Sequence, residues 1–198
     1  MGPDEPQQHE DSLQARMIRA ARLDPSLYDD VAADERAQFQ ALAVVLLSSL
    51  ATGIAFGQGD LAAIGQGMLF AVLGWYITAY LAFFIGTRLL PERSPETPTA
   101  TGGAPAPPGR GPAGLLRAVG FASAPGMVRL LGVIPDLLAS AMVITTLWMI
   151  CATVIAIRQG LGFQSTARAA GVYAGIQLML LPLLLILLSG QVEAPGTP

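Results

Sequence analysis

Few residues in this chain could do chemistry. It has one histidine, His9, and one cysteine, Cys151, and all 11 of its basic residues are arginine. His9 stands in a polar N-terminal stretch and Cys151 inside an apolar run, which excludes Ser-His catalysis, Cys-His catalysis and any multi-histidine metal site. Cys151 reads as core packing, because apolar surroundings raise a thiol's pKa and make it inert, and a single cysteine forbids an internal disulfide. No G-x-S-x-G nucleophile elbow occurs. The stretch from Gly102 to Gly111 has no lysine, no following Ser or Thr and no preceding strand, so it is not a phosphate loop. Two charged residues, Arg129 and Asp136, interrupt or adjoin apolar runs. As an intramembrane polar pair they would line a substrate or proton path; as residents of an outer interface they carry no function. Asp60 follows Gly57-Gln58-Gly59. A proton-sharing carboxylate dyad built on it needs a second acid close by, and only Asp136 is available on that side.

The elements that must hold these residues are membrane helices. At 53% hydrophobic and 13% charged, the chain is too apolar for an ordinary soluble domain of 198 residues. The stretch Leu115 to Arg168 carries two apolar runs broken at Pro135-Asp136 and then an arginine-bearing loop. Between Asp136 and Arg158 lie 21 uncharged residues, a helix of roughly 31 Å, about one hydrocarbon core. Ala37 to Gly59 gives 23 uncharged residues, Leu61 to Thr87 gives 27 and Ala169 to Val192 gives 24, the last containing Pro182, where a kink is expected. With the weaker Leu115 to Ile134 run the reading is all-α: a polytopic helical membrane protein with five transmembrane helices, at about 39–58, 65–87, 115–134, 137–157 and 169–189. Gly53 and Gly57, and Gly171 and Gly175, have the spacing that lets membrane helices approach closely, and they leave a homo-oligomer open. Trp75, Tyr76 and Tyr80 fall mid-run and read as helix-packing aromatics.

Residues 1–38 form an N-terminal amphipathic helical segment with no apolar core that would mark a cleaved signal peptide. Asp11-Ser12 can cap a helix with Leu13, Met17 and Ile18 on one side and Arg16, Arg19 and Arg22 on another. Nine acids against four arginines in this segment weaken a lipid-anchor reading. Asp24-Pro25 starts a second helix, with no glycine or proline to separate it from the first span. Residues 91–113 hold a proline-rich stretch that reads as a disordered cytoplasmic linker, and 191–198 as a short outer tail. Gly160 can end the fourth apolar helix and Ser165 cap the fifth.

Arginine placement sets the threading, since cytoplasmic loops collect positive residues. Five spans with the N-terminus inside and the C-terminus outside put ten of 11 arginines on the cytoplasmic side. That leaves Arg129 in the outer half, roughly 18 Å beyond Arg117 if the run is α-helical.

The G-x-G-D order at Asp60 is similar to that around one aspartate of intramembrane aspartyl proteases. Their partner aspartate follows a Tyr on another span, whereas Tyr28-Asp29 here falls on the opposite side, so a glycine-rich turn is the reading adopted. Three other stretches resemble the bacterial branch of the Yip-one domain family, the Ypt/Rab-interacting membrane proteins. They are ARLDPSLYDDVAADERAQFQALAVVLLSSL from Ala21 to Leu50, GFASAPGMVRLLGVIP from Gly120 to Pro135, and WMICATVIAIRQGLGFQSTAR from Trp148 to Arg168. Arg129, Asp136 and the proline-rich linker depart from the pattern.

The resemblance implies a non-enzymatic protein of the bacterial cytoplasmic membrane, with eukaryotic relatives that bind small GTPases. Its function would be that of an interaction or organising module, with a protein partner at the cytoplasmic face and the lipid bilayer as its solvent. Asp24, Tyr28, Arg158 and Arg168 are the candidate contact residues. No cofactor, metal or catalytic residue is expected, and the net charge of −3 argues against nucleic acid. The alternative is a small transporter or channel subunit that uses Arg129 and Asp136.

Overall fold

A computed structural model describes residues 12–56, 60–90 and 111–192. Its elements are α1 (Leu13–Ala21), α2 (Pro25–Ala33), α3 (Ala37–Phe56), α4 (Leu61–Phe84), α5 (Pro112–Phe121), α6 (Leu138–Leu161) and α7 (Thr166–Val192). A π-helical turn over Ile85–Leu89 extends α4, and 3-10 helices over Ala124–Val133 and Pro135–Leu137 join α5 to α6. The described residues contain no strand. Among the described residues, three helices are long and apolar enough to cross a membrane: Ala37–Phe56, Leu61–Leu89 and Leu138–Leu161. His9, the Gly57–Gly59 turn, most of the proline-rich stretch and the last six residues lie outside the described residues; α5 begins at Pro112, inside the expected linker.

Short polar side chains set the helix starts. Ser12 Oγ accepts from the Ala15 amide at 3.2 Å, and Asp24 Oδ1 accepts from Ser26 N at 3.0 Å with Pro25 in the first helical position. Asp60 Oδ1 accepts from Ala62 N at 2.9 Å and Ala63 N at 3.3 Å, so this carboxylate caps α4. The expected continuity of α2 and α3 fails at Asp34, which is extended (φ −87°, ψ 104°) and accepts from the Arg36 amide at 2.9 Å. An aspartate that bonds a nearby backbone amide competes with the helix, so no glycine or proline is needed for the break. α6 runs past Gly160 and ends before Gly162, which is left-handed at φ 69°.

The third apolar run is not one α-helix. From Gly114 to Phe121 every residue of α5 is buried, as befits a short helix that is apolar nearly all round. The α conformation stops where Pro125 removes an amide donor and disfavours a helical residue before it. The chain then continues as a 3-10 helix for ten residues, far longer than the usual three or four.

Three close approaches fix its course. A Cβ on Gly120 would stand 2.8 Å from Ala41 Cβ, one on Gly126 would meet Ser48 Cβ at 3.1 Å, and one on Gly132 would meet Ala55 Cβ at 3.3 Å. Steps of six residues along the third run therefore match steps of seven along α3. Seven α-helical residues rise about 10.5 Å, and six 3-10 residues about 12 Å. The third run thus descends parallel to α3, from near its start to near its end. Because 3-10 side chains repeat every three residues, Gly126, Arg129 and Gly132 share the stripe that faces Ser48, Thr52 and Ala55.

The core gathers around α5. Trp75 of α4, 5% exposed, donates from Nε1 to the Leu116 carbonyl at 2.7 Å. Tyr76 and Tyr80 instead stack on each other on the outer surface of α4. Cys151, expected in the core, is exposed on α6; a helix bathed in lipid presents apolar residues outward as well as inward. A Cβ on Gly171 would stand 4.0 Å from Leu90 and one on Gly175 3.7 Å from Ile85, so α7 packs on the end of α4 within the chain.

Gly120→Ala should lower the unfolding temperature in detergent, with an overpacking cost of about 1–3 kcal/mol, and Ala41→Gly in the same chain should recover part of the loss. Gly65→Ala, where the added Cβ meets nothing within 4 Å, should be neutral or stabilising by up to about 1 kcal/mol.

Candidate functional site

At the end where α3 begins, α1 and α2 fold back onto the bundle. α1 buries Leu13, Arg16, Met17 and Ala20 against it and turns Gln14, Ile18 and Arg22 outward. The sequence groups Ile18 with Leu13 and Met17 and sets Arg16 on another side; in the structure Ile18 faces outward and Arg16 inward. Arg16 is instead 6% exposed, donating to Asp34 Oδ2 at 2.8 Å and Gln40 Oε1 at 2.9 Å. Arg19 bridges the α1–α2 corner, through Nε to Asp24 at 2.9 Å and Nη2 to Asp30 at 2.8 Å and to Ser26 Oγ at 3.0 Å. Hydrogen bonds from Ser26 and then from Arg19 hold the Asp24 carboxyl below its ordinary range. Burial pushes Asp34 upward, but the Arg16 and Arg36 hydrogen bonds outweigh it and its pKa is also lowered.

Three contacts lock this segment to the bundle. Arg117, 7% exposed, donates from Nε to the Val31 carbonyl at 3.0 Å and from Nη2 to the Ala32 carbonyl. These are terminal carbonyls of α2, where the helix dipole concentrates negative charge. Trp148 Nε1 donates to the Ala21 carbonyl at 2.8 Å. Gln159 Nε2 donates to Asp29 Oδ2 at 2.9 Å and to the Pro25 carbonyl at 3.3 Å.

Of the four candidate contact residues, three lie accessible at this end. Asp24 is half-buried in the Arg19 network, Arg158 donates from Nε to the Phe163 carbonyl at 3.3 Å, and the Arg168 guanidinium lies over the Phe163 ring, 5.8 Å from its centroid. The Gln159 bonds bring the end of α6 and the start of α2 side by side. Tyr28 is different: it is fully buried and its hydroxyl has no hydrogen-bond partner. It is a core residue and touches no outside partner. Burial and then the Asp24 charge push its phenol well above the ordinary range, so it stays neutral.

Arg129 and Asp136 are not brought together. Asp136 is exposed in the short turn before α6. The Arg129 guanidinium instead donates to three hydroxyls: Nε to Thr145 Oγ1 at 3.2 Å, Nη1 to Thr52 Oγ1 at 3.2 Å and Nη2 to Thr146 Oγ1 at 3.4 Å. Thr145 and Thr52 pass their own hydroxyl hydrogens to the Ala141 and Ser48 carbonyls, at 2.7 and 2.9 Å, which leaves oxygen lone pairs for the arginine. The longer rise of the 3-10 path also carries Arg129 farther toward the far end of the bundle than an α-helix would, roughly 22 Å beyond Arg117. Its side chain borders a cavity of about 660 Å³ among α3, α4, α6, α7 and the 3-10 run.

A family model for the Yip1 domain matches residues 29–188, from within α2 almost to the end of α7. The chain belongs to the Yip1 domain family. This Yip1 domain is a helical membrane protein. No curated protein and no solved structure matches it. The match begins at Asp29, so the bundle and half of α2 form one family unit, consistent with α2 being stitched to α5 and α6.

Arg16, Arg117, Trp148 and Gln159 were not singled out from the sequence as contacts. Their signal was the polar ends of otherwise apolar helices facing an N-terminal segment rich in acids and free carbonyls. Tyr28→Phe removes a buried hydroxyl that has no partner, so it should be neutral or stabilising, by up to about 2 kcal/mol. The folded-state pKa is raised, so the wild-type contribution holds below the unfolded value near 10 and is lost as pH rises above it. The stability gap favouring Tyr28→Phe in detergent melts should therefore widen above pH 10.

Proposed function

We propose that this Yip1 domain is a non-enzymatic, membrane-resident interaction module that works through the surface made by α1, α2 and the α6–α7 loop. The observation that carries this is the Gln159 junction. It ties the end of α6 to α2 at the end of the molecule where Asp24, Arg158 and Arg168 are accessible. A non-catalytic role fits the positions of Asp60 and Asp136, both exposed, with Asp60 engaged as a helix cap.

The reading has five crossings in a bacterial cytoplasmic membrane, with the N-terminus inside and the C-terminus outside. The third run supports it by keeping pace with α3 from Ala41 to Ala55, which carries the chain from one end of the bundle to the other. The arginine distribution supports the same orientation. The partner is then a protein at the cytoplasmic face.

Reporter fusions at Gln58, Thr99, Asp136, Gln164 and Thr197 should alternate, starting outside. A fusion at Gln164 that reports from the outside would overturn the five-span reading. Arg158→Glu combined with Arg168→Glu should abolish cross-linked partner capture from native membranes while the Gln164 fusion still reports inside. Arg129→Leu should leave capture unchanged. Flux in liposomes that depends on Arg129 would replace the module reading with a transport one.

A further inference from the structure

The other half of the molecule holds a cation that the described residues do not neutralise. Arg129 lies on a stripe between two glycines, beside Thr52, which is four residues and so about 6 Å from the far end of α3. Three of its five N–H groups reach hydroxyl oxygens, and one hydrogen on each Nη is left over. Hydroxyl dipoles orient a guanidinium but do not cancel its charge. Among the described residues the only carboxylates at this end are Asp60 and Asp136; both are exposed, neither pairs with Arg129, and neither lines its cavity. A cation held this close to hydrocarbon calls for an anion.

The cavity also sets the shape of that anion. Arg129 and Thr52 stand together in its wall, which elsewhere carries Ser49 and Thr153 among mostly apolar residues. Phe70, Gly74, Tyr173 and Gln177 belong both to this wall and to that of a second space of about 920 Å³ between α4 and α7. The second space is lined by Leu73, Ile77, Leu178 and Leu181, with no charged residue. α7 rests on Ile85 at one end of α4, and the groove opens further along the same two helices. At Gly74, where the two spaces meet, an added Cβ would find nothing within 4 Å.

We propose that this is a binding site for one anionic glycerophospholipid, with its phosphate on the Arg129 guanidinium, which the threonines hold in place, and an acyl chain in the groove between α4 and α7. A planar guanidinium with one free N–H on each Nη suits a phosphate oxygen pair. Thr52, which Arg129 meets, is about 6 Å from the end of α3, a helix long enough to cross a membrane, and so near the level at which phosphates would reside. A free inorganic anion would satisfy the charge but leave the apolar groove without an occupant. The site lies in the opposite half of the bundle from the proposed partner surface and does not rest on that proposal.

The test uses the purified full chain in detergent, titrated with dioleoyl phosphatidylglycerol or dioleoyl phosphatidylcholine and read by native mass spectrometry and by the lipid-induced shift in melting temperature. The anionic lipid should be retained about tenfold or more over the zwitterionic one, a difference of about 1.4 kcal/mol. Arg129→Gln should erase that preference and Arg129→Lys should keep part of it. Gly74→Phe should fold, since the space is open, and weaken retention of the anionic lipid with Arg129 still present. Excess inorganic phosphate should not displace the lipid. Equal retention of the two lipids, preference unchanged in Arg129→Gln, or Gly74→Phe binding like wild type would each overturn the proposal. Displacement by inorganic phosphate would identify a free-anion site instead.

Discussion

The bond between the Arg117 guanidinium and the last carbonyls of α2 is the contact on which the rest of the arrangement depends. A buried arginine without an acid is costly unless its donors are met. Here the negative end of a helix meets them, and the same contact satisfies carbonyls that α2 could not pair by itself. The N-terminal segment is thereby fastened to the start of the third run. With α5 fixed in depth and rotation, Gly120 falls against Ala41 and Trp75, and the glycines beyond it meet α3 in sequence.

The second constraint is the solvent. In hydrocarbon, backbone groups must be paired within the chain and charged side chains must find partners in the protein or reach the interface. The third run meets the first demand with a 3-10 helix, whose amides and carbonyls stay paired while its longer rise keeps step with α3. It meets the second by placing Arg129 on a three-residue repeat with two glycines, which makes room for the guanidinium between helices and beside threonines. An α-helix would have swung Arg129 off that stripe.

These two arginines divide the molecule. Near Arg117 the charges are numerous and mutually paired: Arg16 with Asp34, and Arg19 with Asp24 and Asp30. That half is a firm platform whose outer surface carries the polar groups of α2 and the α6–α7 loop. Near Arg129 charge is sparse and lies beside open space. The Yip1 domain match, over residues 29–188, takes in both halves.

The sequence by itself determined the helical membrane class, because runs of more than twenty uncharged residues can be buried only in lipid. It also determined several helix starts, because Ser12, Asp24-Pro25 and Asp60 act within a few residues of themselves. What it left to the tertiary structure depended on neighbours far along the chain. Tyr28 reads as a polar contact residue until α5 and α6 close over it. Arg129 and Asp136 read as a pair by proximity in sequence, yet a 3-10 path turns one inward and a short turn leaves the other in the open. Cys151 looks like core because apolar surroundings are the same in sequence whether they are protein or lipid. Glycines six apart carry no α-helical period, and only the α3 positions seven apart give them meaning. Local capping and lipid solubility act along the chain and can be read from it. Which face of a helix meets protein, and what a buried arginine donates to, are settled by packing between segments that the sequence keeps far apart.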